Sequence, residues 1–256
     1  MKRILLFIGV VFMVLGITAQ ECIYIIEKDS YYLQEKVAVA VGDVDSISFV
    51  APSECMENGY EWVNLGLPSG LKWATCNVGA TKPEEYGNYY AWGETSTKRT
   101  YSWSTYKWCN GSYDTQTKYC SRSGYGTVDS KTVLELADDA AAVNWGGAWR
   151  MPTDAEWTEL RTNCTWTWTS DYNGTGVAGR IVTSNFNGNS IFLPAAGFRG
   201  NDDLYHAGSY GYYWSSSLNT DSPFYAWIVY FYSVSVDRDR YGRRHYGYSV
   251  RPVLGE

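Results

Sequence analysis

Asn144-Trp-Gly-Gly-Ala-Trp-Arg-Met-Pro-Thr-Asp-Ala-Glu-Trp-Thr-Glu-Leu-Arg161 contains a complete helix start. Thr153 stands where an N-cap hydroxyl accepts an orphan N–H of the first turn. Glu156, three residues on, reaches back to the N-cap N–H. Pro152 and Trp157 occupy the two positions of a hydrophobic staple. Asp154 and Glu156 suit the positive end of the helix dipole, and Arg161 suits the far end. Trp157 and Leu160, three apart, share one face. Upstream, a Gly-Gly turn leads into a short strand over 148–151. A strand-to-helix corner specified this fully is expected in the middle of a domain.

Outward from it the chain reads as short strands and turns. Residues 60–74 predict two strands around the Leu67-Pro-Ser-Gly70 turn, with a helical turn at 82–85 and a strand at 89–92. Residues 94–125 have little periodicity and read as a long surface loop. A short helix is expected over 138–143 with Asp138 as N-cap. Asn187-Gly188 is a hairpin signal between strands at 177–183 and 189–194. Strands at 212–217, 226–236 and 247–253 complete an antiparallel set. Few helices and many hairpins give an α+β domain over 60–256. Before it lie a small β unit over 21–52, with alternating Val37, Val39 and Val41, and a linker over 53–59.

The 256 residues carry a net charge of −6, which leaves no basic footprint for nucleic acid. Aromatic residues make up 17% of the chain, with 23 Tyr and 12 Trp. Short strands and an aromatic-lined surface use that mixture; long helices do not need it. Residues 1–20 read as a cleaved secretory signal: Lys2 and Arg3, an apolar run over 4–15, then Thr18-Ala19. The run is too short to span a bilayer, and no other stretch is suited to do so. Export to the cell surface, periplasm or medium is therefore expected.

Trp149-Arg-Met-Pro-Thr-Asp-Ala-Glu-Trp157 resembles a signature of the formylglycine-generating-enzyme-like branch of the C-type-lectin fold. The segment at 62–80 resembles the opening of the Fibrobacter succinogenes major paralogous domain. So do Glu85-Tyr-Gly-Asn-Tyr-Tyr-Ala-Trp-Gly-Glu94, Ile191-Phe-Leu-Pro-Ala-Ala-Gly-Phe-Arg199, Tyr213-Trp-Ser-Ser-Ser217 and Ser249-Val-Arg-Pro-Val253. The resemblance implies a C-type-lectin-like fold, and a fold is not an activity. Formylglycine-generating enzymes use a cysteine pair near the C-terminus, and no cysteine follows Cys164 here, so that oxidase chemistry is not expected. Lectin-fold variable proteins of diversity-generating retroelements hold their diversified positions in the C-terminal part, in a setting similar to this one.

Export makes the six cysteines disulfide candidates. Cys109 and Cys120 bracket a polar, turn-rich loop and are expected to form a local clip. Cys76 and Cys164 sit inside the family-like blocks and are paired on that ground, leaving Cys22 with Cys55 around the N-terminal segment. No zinc spacing is present. Asp202-Asp203 and Asp237/Asp239 offer oxygens of the kind Ca²⁺ takes, but neither matches an EF-hand loop, so no cofactor or metal is expected.

Ser215-Ser-Ser217 is not a nucleophile elbow, and neither His206 nor His245 has the context of a general base. No catalysis is expected. The stretch 224–248 concentrates Tyr and Arg, which binding surfaces use as rigid aromatic area and as a planar five-donor cation. The expected ligand face comprises Trp227, Tyr230, Tyr232, Asp237, Arg238, Asp239, Arg240, Tyr241, Arg243, His245 and Tyr248, presented to a protein or glycan on another surface. The other readings are an oxidase-type enzyme and a structural or fimbrial subunit assembling through 23–50.

Overall fold

A computed structural model describes residues 22–26, 36–40 and 55–255. The chain divides into two units, Met1–Glu54 and Cys55–Glu256. The signal expected over 1–20 lies outside the described residues. In the first unit β1 (Cys22–Ile26) pairs antiparallel with β2 (Lys36–Ala40), Ile23 opposite Val39.

The second unit is mixed and mostly β: short antiparallel strands with two α-helices. Its linker-like opening is already folded. β3 (Met56–Glu57) turns through Asn58 and Gly59, both at positive φ, into β4 (Tyr60–Asn64). The Glu57 carbonyl accepts the Trp149 indole N–H at 2.9 Å, so residues 55–59, expected within a linker, are part of this folded unit. β5 (Lys72–Ala74) follows the Leu67–Gly70 turn and pairs with β4. The C-terminal strand β15 (Val253–Leu254) inserts between β5 and β6 (Trp149–Arg150), bringing both ends of the unit into one five-stranded sheet.

The corner read from sequence is built as expected. α2 (Asp154–Asn163) is capped by Thr153, whose hydroxyl accepts from the Glu156 N–H, while Glu156 accepts from the Thr153 N–H at 2.7 Å. The Glu156 carboxylate also takes both Nη groups of Arg150 at 2.6 and 2.8 Å, locking helix to strand. Trp157 is fully buried, 4.7 Å from Trp73, and donates to the Trp214 carbonyl at 3.1 Å. The short helix α1 (Ala140–Trp145) is capped by Asp139, not Asp138: Asp139 accepts from the N–H groups of Ala141 and Ala142 and from that of Met151. Asp138 instead closes a 3₁₀ turn, where it binds Lys118 and Tyr119.

β7 (Cys164–Thr169), β8 (Gly179–Ser184) and β9 (Ser190–Pro194) form one antiparallel sheet, with Asn187-Gly188 in the β8–β9 turn. β10 (Phe198–Gly200) pairs with β11 (Asp203–Tyr205). β12 (Gly211–Leu218), β13 (Tyr225–Phe231) and β14 (Val236–Arg243) make a third sheet, which separates two cores. Trp214, Ala226 and Ile228 face the first, with Trp92, Trp149 and Tyr248. Tyr213, Val229 and Phe231 face the second, with Trp73, Trp157 and Leu160. Period-two alternation along β13 thus reads as burial on both faces.

Residues 94–125 are not a loose surface loop. Tyr101, Tyr106, Tyr119 and Cys120 are buried, and Tyr101 and Tyr106 form a third core with Tyr89 and Ala196. Aromatic residues drive this irregular segment inward, and its polar groups are met by local hydrogen bonds such as Asp129 to the Tyr119 and Cys120 N–H groups. The expected Cys109–Cys120 and Cys76–Cys164 disulfides do not form: Cys76, Cys109, Cys120 and Cys164 are free thiols. The thiols of Cys109 and Cys120 donate in different places, to the Trp103 and Arg122 carbonyls, and that of Cys76 to Ala80. The side chain of Cys22 lies outside the described ones. Among the described residues no helix is long and apolar enough to cross a membrane.

Candidate functional site: an aromatic ribbon

β13 is Tyr225-Ala-Trp-Ile-Val-Tyr-Phe231, the β-branched and aromatic composition that suits a pleated surface. Its partner β14 carries one extra residue. Ile228 faces Arg240 but Tyr230 faces Asp237, so Arg238 and Asp239 together oppose Val229 as a β-bulge. The two ends of the sheet bury opposite faces. At one end, Ala226 and Ile228 are covered and Tyr225 and Trp227 turn outward. At the other, Val229 and Phe231 are covered by the α2 side, and Tyr230 and Tyr232 lie on the opposite face.

The residues expected to form one face are therefore divided. Trp227, Tyr241 and Arg243 belong together, with Trp227 opposite Tyr241 and Tyr225 opposite Arg243 in the ladder. Tyr230 and Tyr232 belong to a different surface. Asp237 is half-buried and accepts from Ser235. The side chains of Arg238, Asp239 and Arg240 lie outside the described ones. Two expected surface residues are buried. Tyr248 is 4% exposed and packs with its ring 4.3 Å from that of Trp214, beneath Gly242, where an added Cβ would fall 2.3 Å from its ring. Burial holds its hydroxyl well above the ordinary tyrosine pKa. His245 is 6% exposed between Trp103 and Tyr246, each ring 4.4 Å away. Burial, and then the charges of Arg243 and Lys98, push its pKa down to about 4. Both residues follow β14 where it turns back over the first and third cores, so their polar composition did not mean exposure.

Around Trp227 and Tyr241 the structure adds four rings that the sequence reading did not select. Trp227 lies 6.1 Å from Tyr241, Tyr241 4.6 Å from Tyr225, and Tyr225 4.2 Å from Phe224. Phe224 lies 5.2 Å from Tyr125 and 5.3 Å from Tyr113. These six side chains form a continuous ribbon, most exposed at Tyr113 (47%) and Tyr241 (49%). None belongs to, or packs against, the three cores. Adjacent ring planes are tilted by 39° to 81°, so the surface is ridged, not a flat platform. The exposed Arg243 guanidinium stands at its edge, with no carboxylate within ion-pair distance among the described residues. Phe224 and Tyr225 open the Tyr-rich stretch and were within reach of sequence reading. Tyr113 and Tyr125 were not, because only folding brings them across about a hundred residues of chain.

The second aromatic surface is built on Tyr210, Tyr212, Tyr230 and Tyr232, with ring separations of 5.0 to 6.4 Å. Tyr212, Tyr230, Phe198 and Tyr246 also pack on the first core, so much of this face is the margin of that core. A cleft between α2 and the sheet, lined by Asp154, Trp157, Thr158, Arg161 and Asp237 among others, has room for about one water. Ser215 and Ser216 are buried strand residues, and the Ser215 carbonyl accepts the Trp92 indole N–H. His206 is exposed in a turn at positive φ. Asp202 is engaged by Thr100 and Arg99. Among the described residues no group of three His, Cys, Asp or Glu side chains is arranged to hold a metal ion.

A family model described as a domain of unknown function (DUF8237) matches residues 168–253. The matched stretch holds the three-stranded sheet and four of the six ribbon rings, and it excludes Tyr113 and Tyr125. No curated protein and no solved structure matches the chain.

Proposed function

We propose that this chain is an exported ligand-binding domain whose contact face is the aromatic ribbon and Arg243, and that it performs no catalysis. One observation carries the reading: six aromatic side chains touch in a line at the surface and support no core. Large apolar patches of this kind on a folded unit mark interaction sites. Tyr and Trp give rigid contact area at low entropic cost, and Arg supplies the directional charge. The tilted planes favour a protein ligand, whose protruding side chains fit between ridges, over a sugar chain lying on a level platform. An acidic residue on that ligand would answer Arg243.

The finer fold reading is C-type-lectin-like, supported by the capped α2 beside the sheets and by the closure of both ends of the unit through β15. Export rests on the signal-like segment at 1–20. The purified protein should be tested on peptide-display libraries and on a glycan array in parallel. Binders that free wild-type protein competes away, and Tyr241→Ala does not, would support the reading. Binding confined to glycans, or indifferent to Tyr241 and Tyr113, would remove the protein-ligand claim or the ribbon claim respectively.

A further inference from the structure

The ribbon is assembled from three separate segments: Tyr113 and Tyr125 on one, Phe224 to Trp227 on the second, and Tyr241 with Arg243 on the third. One side chain touches all three. Arg244 is fully buried, and its guanidinium donates four hydrogen bonds, all to neutral acceptors. Nη1 reaches the carbonyls of Tyr119 at 3.0 Å and Pro223 at 2.8 Å. Nη2 reaches the Lys118 carbonyl at 2.9 Å, and Nε the Tyr106 hydroxyl at 2.8 Å. Among the described residues no carboxylate pairs with it. Its charge lies over the rings of Trp92 at 4.9 Å, Tyr106 at 5.3 Å and Tyr119 at 6.0 Å.

The bonded carbonyls are those that matter for the ribbon. Lys118 and Tyr119 lie between Tyr113 and Tyr125; Pro223 immediately precedes Phe224; Arg244 immediately follows Arg243. The Arg244 N–H also donates to the Phe224 carbonyl at 3.1 Å. Tyr119 is held at φ 57°, a conformation a bulky residue adopts only under constraint. Its neighbouring amide groups are fixed by Asp129 and its hydroxyl by Asp138. A core arginine usually finds a carboxylate. This one is spent on backbone carbonyls of the ribbon's separate parts.

We propose that Arg244 is the positioning residue of the ribbon: its planar fork sets the Tyr113/Tyr125 segment against Phe224 and so fixes the spacing of rings supplied by distant parts of the chain. This rests on the reading of the ribbon as the ligand face. The other polar ties from this segment to the loop before Phe224, Arg122 and Ser121 to Thr220 and Asp221, are exposed and contribute less.

The decisive measurement needs no ligand, so it is separable from whether the ribbon binds. Backbone hydrogen exchange is compared in the wild type, Arg244→Lys, Arg244→Gln and Tyr106→Phe. Lysine keeps the charge but not the fork. Exchange over 112–126 should quicken about tenfold or more in Arg244→Lys, with α2 and the β8–β9 hairpin unchanged, and by a smaller factor at the same amides in Tyr106→Phe. Exchange that quickens equally everywhere would make Arg244 a general core residue and overturn the proposal. So would unchanged exchange over 112–126 in Arg244→Lys. Should Arg244→Gln fail to fold, the two milder variants decide the matter.

Discussion

His245 gives the fold a measurable acid sensitivity. Its ring is 6% exposed and lies between Trp103 and Tyr246, and among the described residues Nδ1 has no hydrogen-bond partner. Its pKa falls from 6.5 to about 4, first through burial and then through the charges of Arg243 and Lys98. Below the unfolded pKa the unfolded chain binds a proton that the folded protein refuses. The stability contributed by neutral His245 is therefore present above pH 6.5 and is lost as pH falls towards 4. At about 1.4 kcal/mol per unit, the shift amounts to roughly 3 kcal/mol at the acid end. The perturbation is His245→Phe, which keeps a ring between the same neighbours and removes the titration. Urea unfolding at pH 7.0, 5.5 and 4.5 gives the free energies. The wild type should lose roughly 2 kcal/mol more than the variant between the first and last, the rest of the shift lying below pH 4.5. Carboxylates that protonate in the same range are common to both proteins and cancel in the difference. Parallel pH curves for the two proteins would refute the reasoning.

Thr153→Ala removes the cap of α2 and should cost about 1 kcal/mol by chemical denaturation. Trp157→Ala should cost roughly 3–5 kcal/mol, because the ring is fully buried and bonded to the Trp214 carbonyl. Arg251→Met strands the four acceptors that its guanidinium joins, on Asn77, Ala74, Thr75 and Phe192, and should cost at least about 3 kcal/mol. Iodoacetamide applied to denatured, unreduced protein should label Cys109 and Cys120. Native Cys164, whose pKa burial raises to about 11, should react slowly at pH 8.

What was legible in the sequence was local. The α2 cap is a four-residue pattern whose parts bond one another, and the structure builds it as read. The β8–β9 hairpin likewise follows from Asn187-Gly188 and its flanks. Misreadings occurred where long-range packing decides. Asp138 and Asp139 are equal as caps by composition, and the N–H of Met151 selects Asp139. Residues 94–125 lack periodicity because their aromatic side chains enter an irregular core, not a helix or sheet face. At the site, sequence located the strand pair and the right residue types. It could not show that the sheet buries opposite faces at its two ends, which separates Tyr230 and Tyr232 from Trp227 and Tyr241 and draws Tyr248 inside. Nor could it bring Tyr113 and Tyr125 to Phe224, a contact that depends on a buried arginine.

The central claim is that the ribbon binds and the fold does not depend on it. It is tested most directly with a Tyr113→Ala/Tyr241→Ala double variant, measured against the tightest displayed peptide selected on the wild type, with Tyr210→Ala/Tyr232→Ala as the control on the other aromatic face. The ribbon variant should lose about thirtyfold or more in affinity, the effect of roughly 2 kcal/mol, while thermal stability stays within about 0.5 kcal/mol of wild type and the control binds normally. Full binding by the ribbon variant, with loss in the control, would move the ligand face to the other surface and contradict the claim.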